Sequence, residues 1–147
     1  IANGGTRVQP YVVERIQTST GELVRTHPSP QGRGQRVISL QTARVVQSIL
    51  TSIVKSGTGR LANVQGLTVA GKTGTAQKVE PNGRYSHSRY VASFVGFGPV
   101  PDSQFVLVVN VDEPRPVYFG GSVAAPRRAA STVAGHSVSV VCPSTRM

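Results

Sequence analysis

At 147 residues, 38% of them hydrophobic and 5% aromatic with no tryptophan, the chain has the length of about one small domain and apolar material for one modest core. A formal charge of +10 favours anionic partners. Yet Arg7, Arg15, Arg25, Arg33, Arg36, Arg44 and Arg60 stand singly and only Arg127-Arg128 adjoin, without the clustering or aromatic interleaving of a nucleic-acid face, so solvated surface is preferred to a nucleic-acid module. The single cysteine, Cys142, excludes an internal disulfide, and the longest apolar run, Phe105 to Val109, is too short to cross a bilayer. The chain opens at Ile1 without methionine or signal peptide, which reads as a fragment boundary with any targeting segment upstream.

In chain order, Tyr11 to Ile16 and Glu22 to Thr26 read as strands of a hairpin joined by Thr18-Ser19-Thr20-Gly21. His27 to Gln35 follow as a Pro/Gly loop. A helix is expected from Leu40 to Ser56, capped by Ser39, with Val45, Val46, Ile49, Leu50, Ile53 and Val54 as its apolar stripe and Gly57 as a left-handed end. Leu67 to Gly71 and Thr75 to Val79 read as strand through Lys72. A polar loop is expected from Glu80 to about Arg89. Tyr90 to Gly98 and Phe105 to Asp112 are strongly strand-like, joined tightly through Pro99-Val100-Pro101-Asp102. The order predicts a three-stranded antiparallel meander beside one long helix. Arg127 to Met147 has no clear period and is assigned no element.

Chemistry concentrates in Gly71-Lys72-Thr73-Gly74-Thr75. An ammonium and two hydroxyls on a strand suit an anion, Gly74 leaves room for a substrate backbone, and an edge-strand N–H can hold an oxyanion. Two literal motifs overlap there. Gly66 to Thr73 satisfies the Walker A pattern, but a P-loop needs a buried strand before it and a helix after it, and neither is written here. The other is Lys-Thr-Gly, the strand motif of penicillin-reactive serine acyltransferases.

Its surroundings extend the match: Val69 to Gln77, Ala2-Asn3-Gly4-Gly5, Pro10 to Glu14, Ala92 to Phe97, Asp112-Glu113-Pro114 and Gly120 to Pro126, in that order. Over residues 1–126 the chain resembles the C-terminal part of the transpeptidase domain of class B penicillin-binding proteins, especially the septal, cell-division enzymes. The resemblance implies an α+β fold, an antiparallel sheet flanked by helices as in serine β-lactamases. It implies a peptidoglycan D,D-transpeptidase acylated by penicillin, with no metal or organic cofactor. Lys72 resembles the lysine that sustains the positive field of the site. Thr73 and Thr75 resemble the hydroxyls that bind the substrate carboxylate, beside Gly74, and the Thr75 N–H resembles half of the oxyanion hole. Tyr118 and Phe119 resemble an aromatic wall. Implied partners are the D-Ala-D-Ala stem peptide, β-lactams and divisome proteins, with no nucleic acid. The implied location is the extracytoplasmic face of the bacterial inner membrane, reached by an N-terminal anchor.

The chain also departs from that pattern. No S-x-N occurs, and the literal S-x-x-K, Ser52-Ile53-Val54-Lys55, falls at the end of the predicted helix rather than upstream of the Lys-Thr-Gly strand. The nucleophilic serine is therefore expected outside this chain. Residues 127–147 lack the amphipathic C-terminal helix of the family and are read as an atypical tail, an altered reading frame or an unrelated terminus. His27, His87 and His136 stand in loops or the tail without metal-ligand spacing, and Asp112 and Glu113 are expected to point opposite ways from a strand end.

Overall fold

A computed structural model describes residues 1–8, 11–13, 15–26 and 34–125, together with the backbone of His136–Val141. The loop expected at His27 to Gln35 lies largely outside them, as do Pro10, Glu14 and most of the tail.

Two small ribbons come first. β1 (Thr6–Arg7) pairs antiparallel with β4 (Gln35–Arg36), and β2 (Arg15–Gln17) with β3 (Leu23–Thr26). The second is the expected hairpin, but its first strand starts only at Arg15. Val12 and Val13 stand exposed, with no neighbouring strand to make alternation pay.

Helix α1 (Leu40–Ser56) forms as its caps direct. The Ser39 hydroxyl accepts from the Thr42 N–H at 3.0 Å, satisfying one of the orphan donors of the first turn. Its buried side differs from the predicted stripe: Ala43, Gln47 and Val54 are buried, whereas Val45 and Ile49 remain exposed. The helix packs against β5, and the Gln47 amide is satisfied by the Ile1 carbonyl at 3.0 Å. Gly57 is not left-handed. Its backbone is extended at φ −100° and ψ −154°, and glycine suits the tight space there, since a Cβ would lie 3.0 Å from both Cα and O of Ile53. A 3-10 turn, Arg60–Ala62, follows.

The main sheet runs β5-β6-β7-β8, all antiparallel: β5 (Ala70–Val79), β6 (Tyr85–Gly98), β7 (Phe105–Asp112) and β8 (His136–Val141). The meander is as predicted, with three corrections at its margins. β5 begins at Ala70, because Leu67 is drawn into an isolated bridge with Val64. The polar loop ends at Arg84, since Gly83 closes a tight turn on Glu80 at φ +77° and β6 resumes at once, taking in His87. The tail supplies β8, whose Ser-Val-Ser-Val alternation from Ser137 is a period-two pattern, paired to β7 from Val106↔Val141 to Val111↔His136.

One sheet face carries the core. Ala92 and Phe94 of β6 oppose Val111 and Val109 of β7, and Val54, Ala62, Val69, Ala124 and Ala125 pack onto them. Gly71 of β5 pairs with Gly96 of β6, and the Phe94 ring occupies the space that both leave: a Cβ on Gly71 would sit 2.5 Å from Phe94 Cζ, one on Gly96 2.7 Å from Cε1.

Gly71→Ala should therefore lower unfolding free energy by about 2 kcal/mol through overpacking. Chemical denaturation of the intact protein measures this, and pairing the change with Phe94→Leu should recover part of the loss. An additive double variant would disprove the contact.

Candidate active site

Among the described residues β5 is bordered by a strand on one side only, and its other edge faces a groove of about 690 Å³. Lys72, Thr73, Gly74 and Thr75 form one wall. Ser56, Gly57, Thr58, Arg60 and Leu61 form the second, and Phe119 to Ser122 close the end. The short helix α2 (Gly120–Val123) belongs to that end.

Strand pleating sorts the motif. Thr73 and Thr75 oppose Phe94 and Ala92 and so share the core-side face, whereas Lys72 opposes Val95 on the other. Because β5 lies at the border of its sheet, the Lys72 side chain can still turn into the groove, and its Nζ donates to the Thr73 carbonyl at 2.6 Å. Thr73 Oγ1 donates to Thr58 Oγ1 at 3.0 Å. Thr75 Oγ1 accepts from the Gly120 N–H at 3.0 Å, tying α2 to the strand. That approach depends on glycine at 120, where a Cβ would fall 2.2 Å from the Gly74 carbonyl oxygen and 2.7 Å from that of Ser93.

Among the described residues, Lys72 and Arg60 are the groove's cations, and no Asp or Glu lines it. Five hydroxyls do: Ser56, Thr58, Thr73, Thr75 and Ser122. The surroundings suit an anionic group that accepts hydrogen bonds.

Gly74 is itself part of the groove wall, and the space a Cβ there would take is bordered by the Ser93 hydroxyl, at 2.5 Å. Several predicted features stand elsewhere. Of the aromatic pair, Phe119 lines the groove and is 57% exposed. Tyr118 does not line it; its ring stacks on Tyr90 at 4.2 Å between centroids. Ser52 stands apart from the groove, and its hydroxyl donates to the Ser48 carbonyl at 3.1 Å. The P-loop reading fails as well. Lys72 lies within a ten-residue strand, so no helix N-terminus stands ready for phosphate. The Thr58 wall was missed by sequence reasoning, although Gly57-Thr58-Gly59, a hydroxyl between glycines at a helix end, was its available signal.

At the far end of the sheet, Asp112 and Glu113 do not diverge as expected. Glu113 takes φ +45°, which breaks the strand alternation, and both carboxylates reach Lys78 Nζ, at 3.0 and 2.8 Å. Arg89 joins Glu80, with Nε donating to Oε1 at 3.2 Å, and approaches Glu113 at 3.6 Å. Hydrogen bonding from Arg89 holds the Glu80 carboxyl below its ordinary value, and hydrogen bonding to Glu113 and then Asp112 holds Lys78 above its own.

Comparison with known proteins decides the family. The model of the penicillin-binding protein transpeptidase domain matches residues 1–133. The chain belongs to the penicillin-binding protein transpeptidase family. The match runs past residue 126, where the motif resemblance stopped. Among relatives, stage V sporulation protein D of Bacillus subtilis is 45% identical over 126 residues, covering 84% of this chain and 19% of that protein. Penicillin-binding protein PbpB of Mycolicibacterium smegmatis is 36% identical, covering 86% and 20%. The chain thus spans about one fifth of each. Among solved structures, penicillin-binding protein 3 of Mycobacterium tuberculosis in complex with aztreonam superposes with a TM-score of 0.71 at 33% identity, over 81% of this chain and 28% of that one. The α+β fold with an antiparallel sheet is therefore that of the transpeptidase family.

The far-end charges give a pH prediction. A carboxyl whose folded value is depressed contributes stability fully above its ordinary 4.5, and that contribution is lost as pH falls through the lowered value. The gap in urea midpoint between the unsubstituted protein and Glu80→Gln should be widest near neutrality and close on acidification. A gap independent of pH would refute the pairing.

Proposed function

We propose that this chain carries the Lys-Thr-Gly wall of a serine D,D-transpeptidase that cross-links peptidoglycan stem peptides, and that penicillin acylates the same enzyme. The supporting observation is a groove, without acids among the described residues, in which Lys72, Thr73 and Thr75 converge along a strand edge. Family membership adds to it, as do relatives named as peptidoglycan D,D-transpeptidases in Neisseria.

In this reading a serine from outside the chain attacks the D-Ala-D-Ala carbonyl, the terminal D-Ala leaves, and the acyl group passes to an amine of another stem peptide. Lys72 supplies positive potential beside the nucleophile and the substrate carboxylate. Thr73 and Thr75 orient that carboxylate, and the Thr75 N–H stabilises the oxyanion. Phe119 borders the acyl side chain. Residues 1–126 act as part of the transpeptidase domain, and the tail stands apart from the chemistry. The whole enzyme works at the outer face of the bacterial inner membrane with division proteins as partners. Among the described residues no helix is long and apolar enough to cross a membrane, so anchoring falls to another segment.

Fluorescent penicillin tests this. The full-length parent should label covalently and the isolated chain should not. Lys72→Ala in the parent should slow labelling by about 100-fold or more, the scale of losing a preorganised electrostatic group. Labelling of the isolated chain, or an indifferent Lys72→Ala, would refute the assignment.

A further inference from the structure

We propose that Thr58 is a positioning residue for the Thr73 hydroxyl, turning it to meet an incoming carboxylate; this rests on the transpeptidase reading above. Thr58 occupies the apex of Gly57-Thr58-Gly59, where α1 ends. The N–H groups of both flanking glycines donate to the single carbonyl of Ile53, at 3.0 and 3.2 Å. Behind it stands α2, where a Cβ on Gly121 would lie 2.5 Å from the Thr58 carbonyl oxygen. Thr58 is thus held from two sides, and its hydroxyl faces β5 across the groove.

Without ligand, Thr73 Oγ1 donates its hydrogen to Thr58 Oγ1 at 3.0 Å. The donor that remains in the pair is the Thr58 hydrogen. A carboxylate offers acceptors only. When one enters beside Lys72, both hydroxyls rotate about their C–O bonds. Thr58 then donates to Thr73, and Thr73 donates to the carboxylate. No covalent bond changes and no proton is transferred. The hydrogen bond that Thr73 receives polarises its own O–H and strengthens the one it gives. Bonds of this charge-assisted kind are stronger than neutral ones, so the effect falls on ligands that carry the charge.

The test uses the full-length parent with Thr58→Val, which keeps the shape and loses the hydroxyl, and Thr58→Ser, which keeps the hydroxyl. Acylation rates are measured with benzylpenicillin and with its neutral methyl ester. Thr58→Val should slow acylation by benzylpenicillin about tenfold, the scale of one hydrogen bond to a charged group. The ester should react with Thr58→Val at the unsubstituted rate for that compound, and Thr58→Ser should stay near the unsubstituted rate with both. Equal losses with acid and ester, or Thr58→Ser as slow as Thr58→Val, would overturn the positioning role and leave a packing role. Lys72→Ala serves as the reference. If it leaves acylation by benzylpenicillin unchanged, the transpeptidase reading itself falls; if it alone slows the reaction, only the role of Thr58 does.

Discussion

The groove depends on one backbone approach. α2 lies so close to β5 that Gly120 has no room for a side chain between the carbonyls of Gly74 and Ser93, and from that distance its N–H reaches the Thr75 hydroxyl. Phe119 and Gly121 take their places at the groove's end from this seat, and Gly121 in turn abuts the loop after α1. Three segments far apart in sequence therefore meet at a strand whose own contribution is four consecutive residues. None of the three could form the cavity alone, because each presents one side only.

Charge is distributed to the same end. Glu80, Asp112 and Glu113 are three of the chain's six acids, and Lys78 and Arg89 gather them at the far end of the sheet. Asp102 lies in the β6–β7 connection and Glu22 in the small hairpin. With no carboxylate among the described residues of its walls, the groove keeps the potential of Lys72 and Arg60, and salt screens it only as far as solvent enters. Other scattered arginines meanwhile stand as solvated surface: Arg7, Arg15, Arg25 and Arg44 are all exposed.

Sequence patterns were legible wherever one residue type determines one outcome. Ser39 capped α1 as its hydroxyl requires, and the Val-rich runs of β6 and β7 paired in a meander because few other uses of them exist. The motif strand could be found because lysine and threonine between glycines is a chemical pattern. Illegible were the features that come from neighbours. The exposure of Val45 and Ile49 depends on which side of α1 meets β5, and the turn of Glu113 depends on the cation waiting beyond it. Tyr118 and Phe119 looked alike in sequence, yet Tyr90, a long way back in the chain, claims one ring and leaves the other to the groove. The Thr58 wall carried a signal, but only its partner on β5 gives that signal a meaning.

The ring of Phe94, lodged over the Gly71–Gly96 pair, has an evolutionary corollary. A methyl gained at Gly96 meets the ring at 94 first, so those two positions vary together, whereas one at Gly71 meets both that ring and the Val95 carbonyl, at 2.8 Å, and is barred by backbone as well. Selection on the groove can alter its exposed residues, such as Phe119, one substitution at a time. The glycine pair and the ring over it, on the sheet face opposite Lys72, yield only to coordinated changes, and a lineage should rarely cross that barrier.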